Sequence, residues 1–172
     1  MSGGKYFDQP FEAKRFAAGT YTVPAEWLDY NGHMNIGYYG LAFYRAVEGW
    51  YDDWMDLGAG YAKREQCGPF ALQSNVHYLD ELREGEAFDV DLLMLDCDDK
   101  RWHMIMTITK SATGDIAATS ELIFIHVDLK TRRSTPLPHR QRVRLEQMRM
   151  AQAGLARPQQ VGAPLGIRRK TR

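Results

Sequence analysis

The chain has 172 residues, and its 22 basic and 22 acidic side chains give a formal net charge of zero. That balance argues against a general nucleic-acid-binding protein, which would carry a basic excess. A hydrophobic fraction of 44% and an aromatic fraction of 12% are typical of one globular domain. No apolar run opens the chain as in a signal peptide, and no segment has the ~18 apolar residues that span a bilayer. We therefore expect a cytoplasmic protein without a membrane partner.

The first half of the chain predicts an arm, a short strand and one long helix. Residues 1–19 show no period and are expected to form an arm that is either loose or partly docked, whereas Thr20–Pro24 has the β-branched and aromatic residues of a strand. Apolar residues recur every three or four positions over Ile36–Leu57, which predicts an amphipathic helix. Asn35 is a suitable N-cap, and Gly58 is a suitable C-terminal glycine. The charged residues that mostly fall outside the apolar stripe are Arg45, Glu48, Asp52, Asp53 and Asp56.

The second half of the chain predicts an antiparallel meander after a loop at Gly58–Pro69. Four strand-like segments follow at hairpin spacing, separated by turns rich in Asp and Gly. These segments are Phe70–Leu79, Ala87–Leu95, Arg101–Lys110 and Ile116–Val127. His139–Ala153 is predicted to be a basic helix, and the residues after it are expected to be disordered because they lack a period. The predicted regions are therefore an arm at 1–19, a domain at 20–138 and a helix with a tail at 139–172.

The order of these elements defines an α+β fold. A single sheet must bury one face, and the predicted central helix is the apolar surface that can cover it. We therefore predict an antiparallel sheet curled around one long helix. The exposed edge of such a sheet needs a partner strand.

The segment DYNGHMNIGYY, which starts at Asp29, resembles the hot-dog fold acyl-CoA thioesterases of the 4-hydroxybenzoyl-CoA thioesterase type. Their pattern is an Asp, then Gly-His-(Val/Met)-Asn, then an aromatic residue on the central helix. HYLDELREGEAFDVDLLML resembles their strand-turn-strand unit, and AATSELIFIHVDLKTRRSTPLP resembles their last strand and its exit. The pattern over residues 20–138 is most similar to thioesterases of carnitine and betaine breakdown, including those fused to carnitine dehydrogenases. The resemblance implies a hot-dog fold, a small acyl-CoA substrate such as betainyl-CoA, and a homodimer or homotetramer.

The resemblance also implies that Asp29 is the catalytic carboxylate. Thioester hydrolysis needs an activated water or a nucleophile, together with donors that stabilise the oxyanion. The backbone N–H groups at the helix start, at Asn35, Ile36 and Gly37, are expected to supply those donors. The residues alone leave open whether Asp29 is the base, the nucleophile, or an ordinary turn or capping residue.

The other polar residues of this segment each have two interpretations. Asn31 is expected to orient Asp29 or a water molecule, or to be only a turn former. Gly32 is expected to satisfy a backbone angle or a close ligand approach. His33 is expected to hydrogen-bond the acyl group or to hold the loop. Asn35 is expected to be a cap rather than a catalyst.

Candidate substrate-binding residues lie on one strand and one turn. Asn75 and His77 share a strand face with Gln73, and in this fold that strand can face the partner's active site, although a solvated face is the alternative. Arg132 and Arg133 are candidates for contacting the phosphates of coenzyme A, although turn arginines are usually solvated. A quaternary ammonium group could also contact aromatic rings through cation–π attraction, although core packing is the alternative role for them. Those rings belong to Tyr38, Tyr39, Trp50 and Trp54.

No other enzyme motif competes with this interpretation. The sequence has no Gly-rich phosphate loop and no Ser nucleophile elbow. Cys67 and Cys97 are expected to be free thiols, and no metal-ligand spacing surrounds them. We therefore expect neither a metal nor a cofactor beyond the coenzyme A of the substrate. Two alternatives stay open, namely a hot-dog acyl-CoA dehydratase or hydratase and a non-catalytic acyl-CoA-binding subunit.

Overall fold

The computed structural model describes residues 4–167 of the chain. The strands are β1 (Phe16–Thr22), β2 (Cys67–Tyr78), β3 (Ala87–Cys97), β4 (Arg101–Lys110), β5 (Ile116–Asp128) and β6 (Arg133–Ser134). The α-helices are α1 (Ile36–Trp50), α2 (Ala59–Glu65) and α3 (His139–Gln152). A 3-10 turn at Ala25–Trp27 precedes α1. No helix within this range is long and apolar enough to cross a membrane.

The strands form one antiparallel sheet in the order β1-β3-β4-β5-β2, and β6 pairs with the end of β5. Three of the four predicted meander strands, β3, β4 and β5, pair in chain order, whereas β2 does not pair with β3. Strand β2 reaches the far edge, where it pairs only with β5 among the described strands. The sheet curls around α1, which confirms the predicted α+β fold with one central helix. Strand β1 begins four residues before the predicted strand.

Helix α1 fills the inside of the curled sheet because one side of it is almost wholly apolar. Its buried residues are Tyr39, Ala42, Phe43, Ala46, Val47 and Trp50. Alternate residues of β3, Phe88, Val90 and Leu92, meet this helix in the main core. Leu93 and Leu95 point to the opposite face, where they pack with Ile105. The sheet therefore has apolar residues on both faces.

The end of the central helix differs from the prediction. The α-helix ends at Trp50 and continues as a π-helical turn over Tyr51–Met55. Asp56 then adopts a left-handed conformation with φ of 48°, so Asp56 and not Gly58 is the C-terminal cap. Gly58 is the N-cap of α2. A Cβ atom at position 58 would lie 1.9 Å from the Asp52 carboxylate, which explains the glycine.

The predicted loop at Gly58–Pro69 is wrong, because α2 and the first residues of β2 occupy it. Tyr61 is the buried residue of α2, and its hydroxyl lies 2.9 Å from Nε2 of His126 on β5. His126 also places Nδ1 3.0 Å from the carbonyl oxygen of Thr135, so its ring is held from both sides. These contacts fix α2 against the end of the sheet.

The N-terminal arm is docked over its described part, which is the second of the two expected states. Trp54 contacts three rings of the arm and of β1, with centroid distances of 5.0–5.7 Å to Tyr6, Phe11 and Phe16. The guanidinium of Arg144 on α3 lies 4.1 Å from the centroid of the Phe11 ring. The arm therefore joins the end of the central helix to α3, because both supply partners for its aromatic residues.

The C-terminal segment also has a defined position, in contrast to the expected disorder. Helix α3 confirms the predicted basic helix at its bounds within one residue. After it, Leu155 and Val161 pack on the outer apolar cluster of the sheet. Asn75 donates a hydrogen bond of 3.1 Å to the carbonyl oxygen of Ala163. The basic end at residues 168–172 lies outside the described residues, and the division of the chain at residues 19 and 138 stays a prediction.

Candidate active site

The segment before α1 forms a tight hairpin. Leu28 and Met34 make a β-bridge, and Asp29 donates its backbone N–H to the carbonyl oxygen of His33 at 3.1 Å. The N–H of Gly32 returns to the Asp29 carbonyl oxygen at 3.0 Å, with Gly32 at φ of 79°. This pattern is a three-residue hairpin loop that ends in a left-handed residue, a position that glycine favours. Gly32 is therefore required by the turn.

The hairpin orients the carboxylate of Asp29 toward the start of α1. Its Oδ1 accepts the backbone N–H of Asn31 at 2.8 Å, and its Oδ2 lies 3.5 Å from the side-chain nitrogen of Asn35. The side chain is half-buried, and no Lys or Arg of residues 4–167 forms an ion pair with it. Asn31 thus orients Asp29 through its backbone. The oriented carboxylate keeps lone pairs for a water proton or for a carbonyl carbon.

The helix start offers fewer free donors than the sequence predicts. Asn35 is the N-cap, and its side-chain oxygen accepts the N–H of Gly37 at 2.9 Å. The N–H of Asn35 itself donates to the carbonyl oxygen of Trp27 at 2.8 Å. The N–H of Ile36 remains, and it has no hydrogen-bond partner within the described residues. Of the three expected oxyanion donors, the N–H groups of Asn35 and Gly37 are therefore paired, and that of Ile36, whose side chain is 63% exposed, stays the candidate.

Contacts that the sequence did not indicate hold the hairpin in place. The N–H of Met34 donates to the carbonyl oxygen of Leu82 at 2.7 Å. The Trp27 ring stacks on Tyr38 with centroids 5.1 Å apart, and Arg45 covers the same indole at 5.5 Å. Trp27 carries no local sequence signal for this role, because its partners Tyr38 and Arg45 lie 11 and 18 positions later, on α1. Together these contacts fix the position of the hairpin that carries Asp29.

His33 makes its contact within the hairpin. Its Nδ1 lies 3.3 Å from the carbonyl oxygen of Met34, and the side chain is half-buried. No acidic side chain of the described residues pairs with it. That geometry fits the loop-holding role, and a contact of His33 with the acyl group stays a prediction.

The predicted substrate-binding residues are not gathered around Asp29 within one chain. On β2, Ser74 and Val76 face α1, so Asn75 and His77 point to the opposite face. No described contact joins either residue to the hairpin, and both are half-buried rather than solvated. Nε2 of His77 is buried without a hydrogen-bond partner.

Arg132 and Arg133 lie at the other end of the sheet. They follow Asp128, which pairs with Cys67 at the start of β2, whereas Tyr78 at the end of β2 contacts Tyr39 near the helix start. Arg132 has a left-handed φ of 58° and covers the Phe70 ring at 5.2 Å. Both arginines are exposed. No described contact joins either arginine to the Asp29 hairpin, and their contact with the phosphates of coenzyme A stays a prediction.

A cavity of about 300 Å³ lies between α1 and the strands β2 and β5. Its lining includes Glu48, which the sequence placed on the solvent side of the helix. Glu48 follows Tyr44 by four residues, so the two side chains share a helix face. That spacing is the sequence signal that could have placed Glu48 beside Tyr44 at this cavity. Burial raises the pKa of the Glu48 carboxyl above its ordinary value, and the neighbouring Asp52 raises it further.

The fold agrees with a comparison against known proteins. The sequence pattern of the thioesterase-like superfamily matches residues 23–147. The chain belongs to the thioesterase-like superfamily, and it is a thioester hydrolase with the hot-dog fold. Within residues 4–167, no group of three or more His, Cys, Asp or Glu side chains is placed to hold a metal ion.

Individual relatives narrow the comparison. A betainyl-CoA thioesterase of Pseudomonas aeruginosa is 31% identical over 86% of this chain and 94% of its own length. An L-carnitine dehydrogenase/betainyl-CoA thioesterase of Rhizobium meliloti is 31% identical over 86% of this chain, which spans only 29% of that longer protein. A Staphylococcus aureus protein solved in complex with CoA is 28% identical, with a TM-score of 0.84 over 94% of this chain and 100% of that one. The resemblance to carnitine- and betaine-associated thioesterases is thus confirmed.

Proposed function

We propose that the enzyme hydrolyses a small acyl-CoA, with betainyl-CoA as the first candidate, and that Asp29 is its catalytic base or nucleophile. The observation that carries this proposal is the Asp29 carboxylate, held by the Asn31 N–H at 2.8 Å beside the helix start. The betainyl-CoA thioesterase from Pseudomonas aeruginosa supports the substrate class, because it matches this chain over 94% of its own length. The CoA complex of the Staphylococcus aureus protein supports a coenzyme A thioester.

The local geometry divides the chemistry between two groups. The Asp29 carboxylate takes a proton from water as the water attacks the carbonyl carbon, or it attacks that carbon itself. Negative charge then develops on the carbonyl oxygen, where the Ile36 N–H and the positive end of α1 stabilise it. The coenzyme A thiolate leaves and is protonated. In the general-base route the attacking water becomes part of the product acid, which ionises to a carboxylate. In the nucleophilic route a water molecule cleaves the anhydride between Asp29 and the acyl group, which releases the carboxylate and restores Asp29.

Release of coenzyme A thiol tests this proposal on a panel of acyl-CoA esters. We expect turnover of betainyl-CoA, and we expect Asp29→Asn to lower kcat by at least ~100-fold, as for a lost general base. Asp53→Asn is the matched control, because it removes the same charge from an exposed position and should leave the rate unchanged. An Asp29→Asn enzyme with wild-type turnover would exclude Asp29, and hydration of an enoyl-CoA without thiol release would favour the hydratase alternative.

We also propose that two copies pair through β2, with a further pairing to a tetramer left open. Strand β2 has twelve residues and contains no Asp, Glu, Lys or Arg, and an edge of this length without such residues favours strand addition. The helix face beside it is exposed at Ile36, Gly40 and Tyr44. Light scattering should give a dimer or tetramer mass, and Leu72→Arg in β2 should reduce it. A monomer mass for the wild-type protein would contradict this pairing. The cytoplasmic location of the protein is a separate point and stays a prediction.

A further inference from the structure

The cavity beside α1 combines aromatic walls with one acidic group. Four rings contribute to its lining, those of Phe43, Tyr44, Tyr51 and Phe124. Glu48 is the only charged side chain among the described residues that line it. The remaining lining is mostly apolar or small, so the cavity presents a negative charge within an aromatic enclosure.

The negative charge of this cavity is not neutralised by the protein. No Lys, Arg or His of residues 4–167 forms an ion pair with Glu48, although the side chain is half-buried. A carboxylate withdrawn from water without a partner is unfavourable, and a bound cation would remove that cost. A half-buried carboxylate without a partner, beside an aromatic-lined cavity, indicates a bound cation.

The chemistry of the lining selects one type of cation. A metal ion needs several oxygen or nitrogen ligands, and the described residues provide no such group here. A primary ammonium needs several hydrogen-bond acceptors, which an aromatic wall does not offer. A quaternary ammonium has no N–H to satisfy, and the faces of aromatic rings attract it. The lining therefore suits a trimethylammonium group.

We propose that this cavity binds the trimethylammonium group of the acyl substrate, with Glu48 as its counter-ion and Tyr44 as part of its aromatic wall. This assignment rests on the proposed function and specifies its substrate class. It makes Glu48 the residue that separates cationic acyl groups from neutral ones.

The length of α1 shows that Asp29 of the same chain cannot act on a substrate bound in this cavity. Glu48 lies twelve residues after Ile36, a distance of ~18 Å along the helix. The ammonium nitrogen of a betainyl ester is only ~2.5 Å from the carbonyl carbon, since two bonds separate them. Asp29 lies at the helix start, within 3.5 Å of Asn35, so it cannot reach an ester held by its own chain's Glu48.

A second copy of the chain can supply the Asp29 that acts on an ester held by Glu48. The helix start lies by Tyr78 at the end of β2, and the cavity extends to Pro69 near the beginning of β2. Antiparallel pairing of two β2 strands brings the end of one strand beside the beginning of the other. The cavity of one chain then lies beside the Asp29 hairpin of its partner, and each site combines groups of both chains.

Two thioesters of equal shape test the cation site. Betainyl-CoA carries a quaternary nitrogen where 3,3-dimethylbutyryl-CoA carries a quaternary carbon. We expect the wild-type kcat/KM to favour the cationic ester by at least ~10-fold, and Glu48→Gln to reduce that ratio by ~10-fold or more. Tyr44→Leu should reduce the same ratio without removing a charge. Asp53→Asn should leave the ratio at its wild-type value.

The outcomes separate this inference from the proposed function. Hydrolysis of both esters with a ratio that Glu48→Gln does not change would overturn the cation site and leave the thioesterase proposal intact. Hydrolysis of neither ester would overturn the proposed substrate class. In that event, binding of choline to the wild-type protein but not to Glu48→Gln would support the cation site. Equal binding to both proteins, or binding to neither, would overturn it.

A mixed dimer tests the sharing of the site between chains. One chain carries Asp29→Asn and the other Glu48→Gln, with different affinity tags so that the mixed species is isolated. If each site combines two chains, one site of the mixed dimer is fully wild type, and about half of the wild-type activity on betainyl-CoA returns. Activity no greater than half that of the Glu48→Gln dimer would show that one chain supplies both groups.

Discussion

Replacement of Ile36 by proline removes one backbone donor while it keeps the helix. Ile36 is the first residue of α1, a position that proline favours because its fixed φ suits the helix and its N–H is not needed there. Asn35 has φ of −63° and ψ of 144°, the extended conformation that a residue before proline adopts. The side chain that is lost is 63% exposed, so little packing is removed.

The expected effect of Ile36→Pro falls on catalysis and not on stability. Loss of one oxyanion donor costs ~2.7–4 kcal/mol, or a factor of ~100–1,000 in kcat. A compatible proline stabilises a fold by ~0.4–1 kcal/mol through the unfolded state, so Tm should stay level or rise slightly. A large drop in kcat with an undiminished Tm is therefore the signature of the missing N–H.

Thiol release and thermal unfolding measure the two quantities side by side. Ile36→Ala is the matched control, because it shortens the same side chain and keeps the N–H. If Ile36→Pro is folded and its kcat lies within threefold of the Ile36→Ala value, the Ile36 N–H does not stabilise the oxyanion. A change confined to KM would instead assign the N–H to substrate binding.

Two further substitutions test the hairpin and the cavity. Gly32→Ala should cost roughly 1–2 kcal/mol because an alanine must adopt a left-handed φ, which lowers Tm by about 2–4 °C per kcal/mol. Gly60→Ala in α2 is the control and should not lower Tm, and equal Tm values for both variants would refute the turn argument. The raised pKa of Glu48 means that the folded state holds its proton more tightly than the unfolded state, so stability is lost as pH rises through that raised pKa. Glu48→Gln should therefore raise Tm at pH 8 but not at pH 4, and a variant less stable at pH 8 would show that the carboxylate is compensated.

The elements that the sequence predicted are those with a strong local signal. Arg101–Lys110 was predicted with its observed bounds, because the turns DCDDK and SATGD enclose a largely apolar segment. The start of α1 was predicted because Asn35 is a cap whose side chain bonds the next turn. Both signals act within four residues, so no tertiary information is needed.

The end of α1 was not predictable in the same way. Gly58 looked like a C-cap, yet the chain turns at Asp56, which also pairs with Arg64 at 2.9 Å on α2. That ion pair joins residues of two helices, one of which the sequence had assigned to a loop. Helix α2 has only seven residues and is held by the Tyr61–His126 contact across 65 positions, so its stability is tertiary in origin.

Within the site, the sequence identified the carboxylate and its hairpin but not the state of each donor. Whether an N–H group at the helix start is free depends on the hydrogen bonds that the Trp27 carbonyl oxygen and the Asn35 side-chain oxygen accept. The Trp27 carbonyl oxygen lies in a separate turn, so the sequence does not show that it accepts one. Glu48 was assigned to solvent because a helical pattern distinguishes a core side from an outer side. It cannot show that a cavity separates part of that outer side from water.

A single oxyanion donor is consistent with a cationic acyl group. One donor supplies a factor of ~100–1,000, and a general base supplies ~100–10,000, so the product reaches only the lower range of enzymatic acceleration. A quaternary nitrogen two bonds from the carbonyl carbon withdraws electron density and lies close to the oxyanion as it forms. Its positive charge therefore stabilises the oxyanion in part, as further N–H groups would do for a neutral ester. An enzyme that holds this charge against Glu48 must balance two demands, because a counter-ion that binds the cation tightly also reduces the field at the carbonyl. A Glu48 carboxylate beyond the ammonium group, on the far side from Asp29, would bind the cation while the nearer positive charge still acts on the oxyanion.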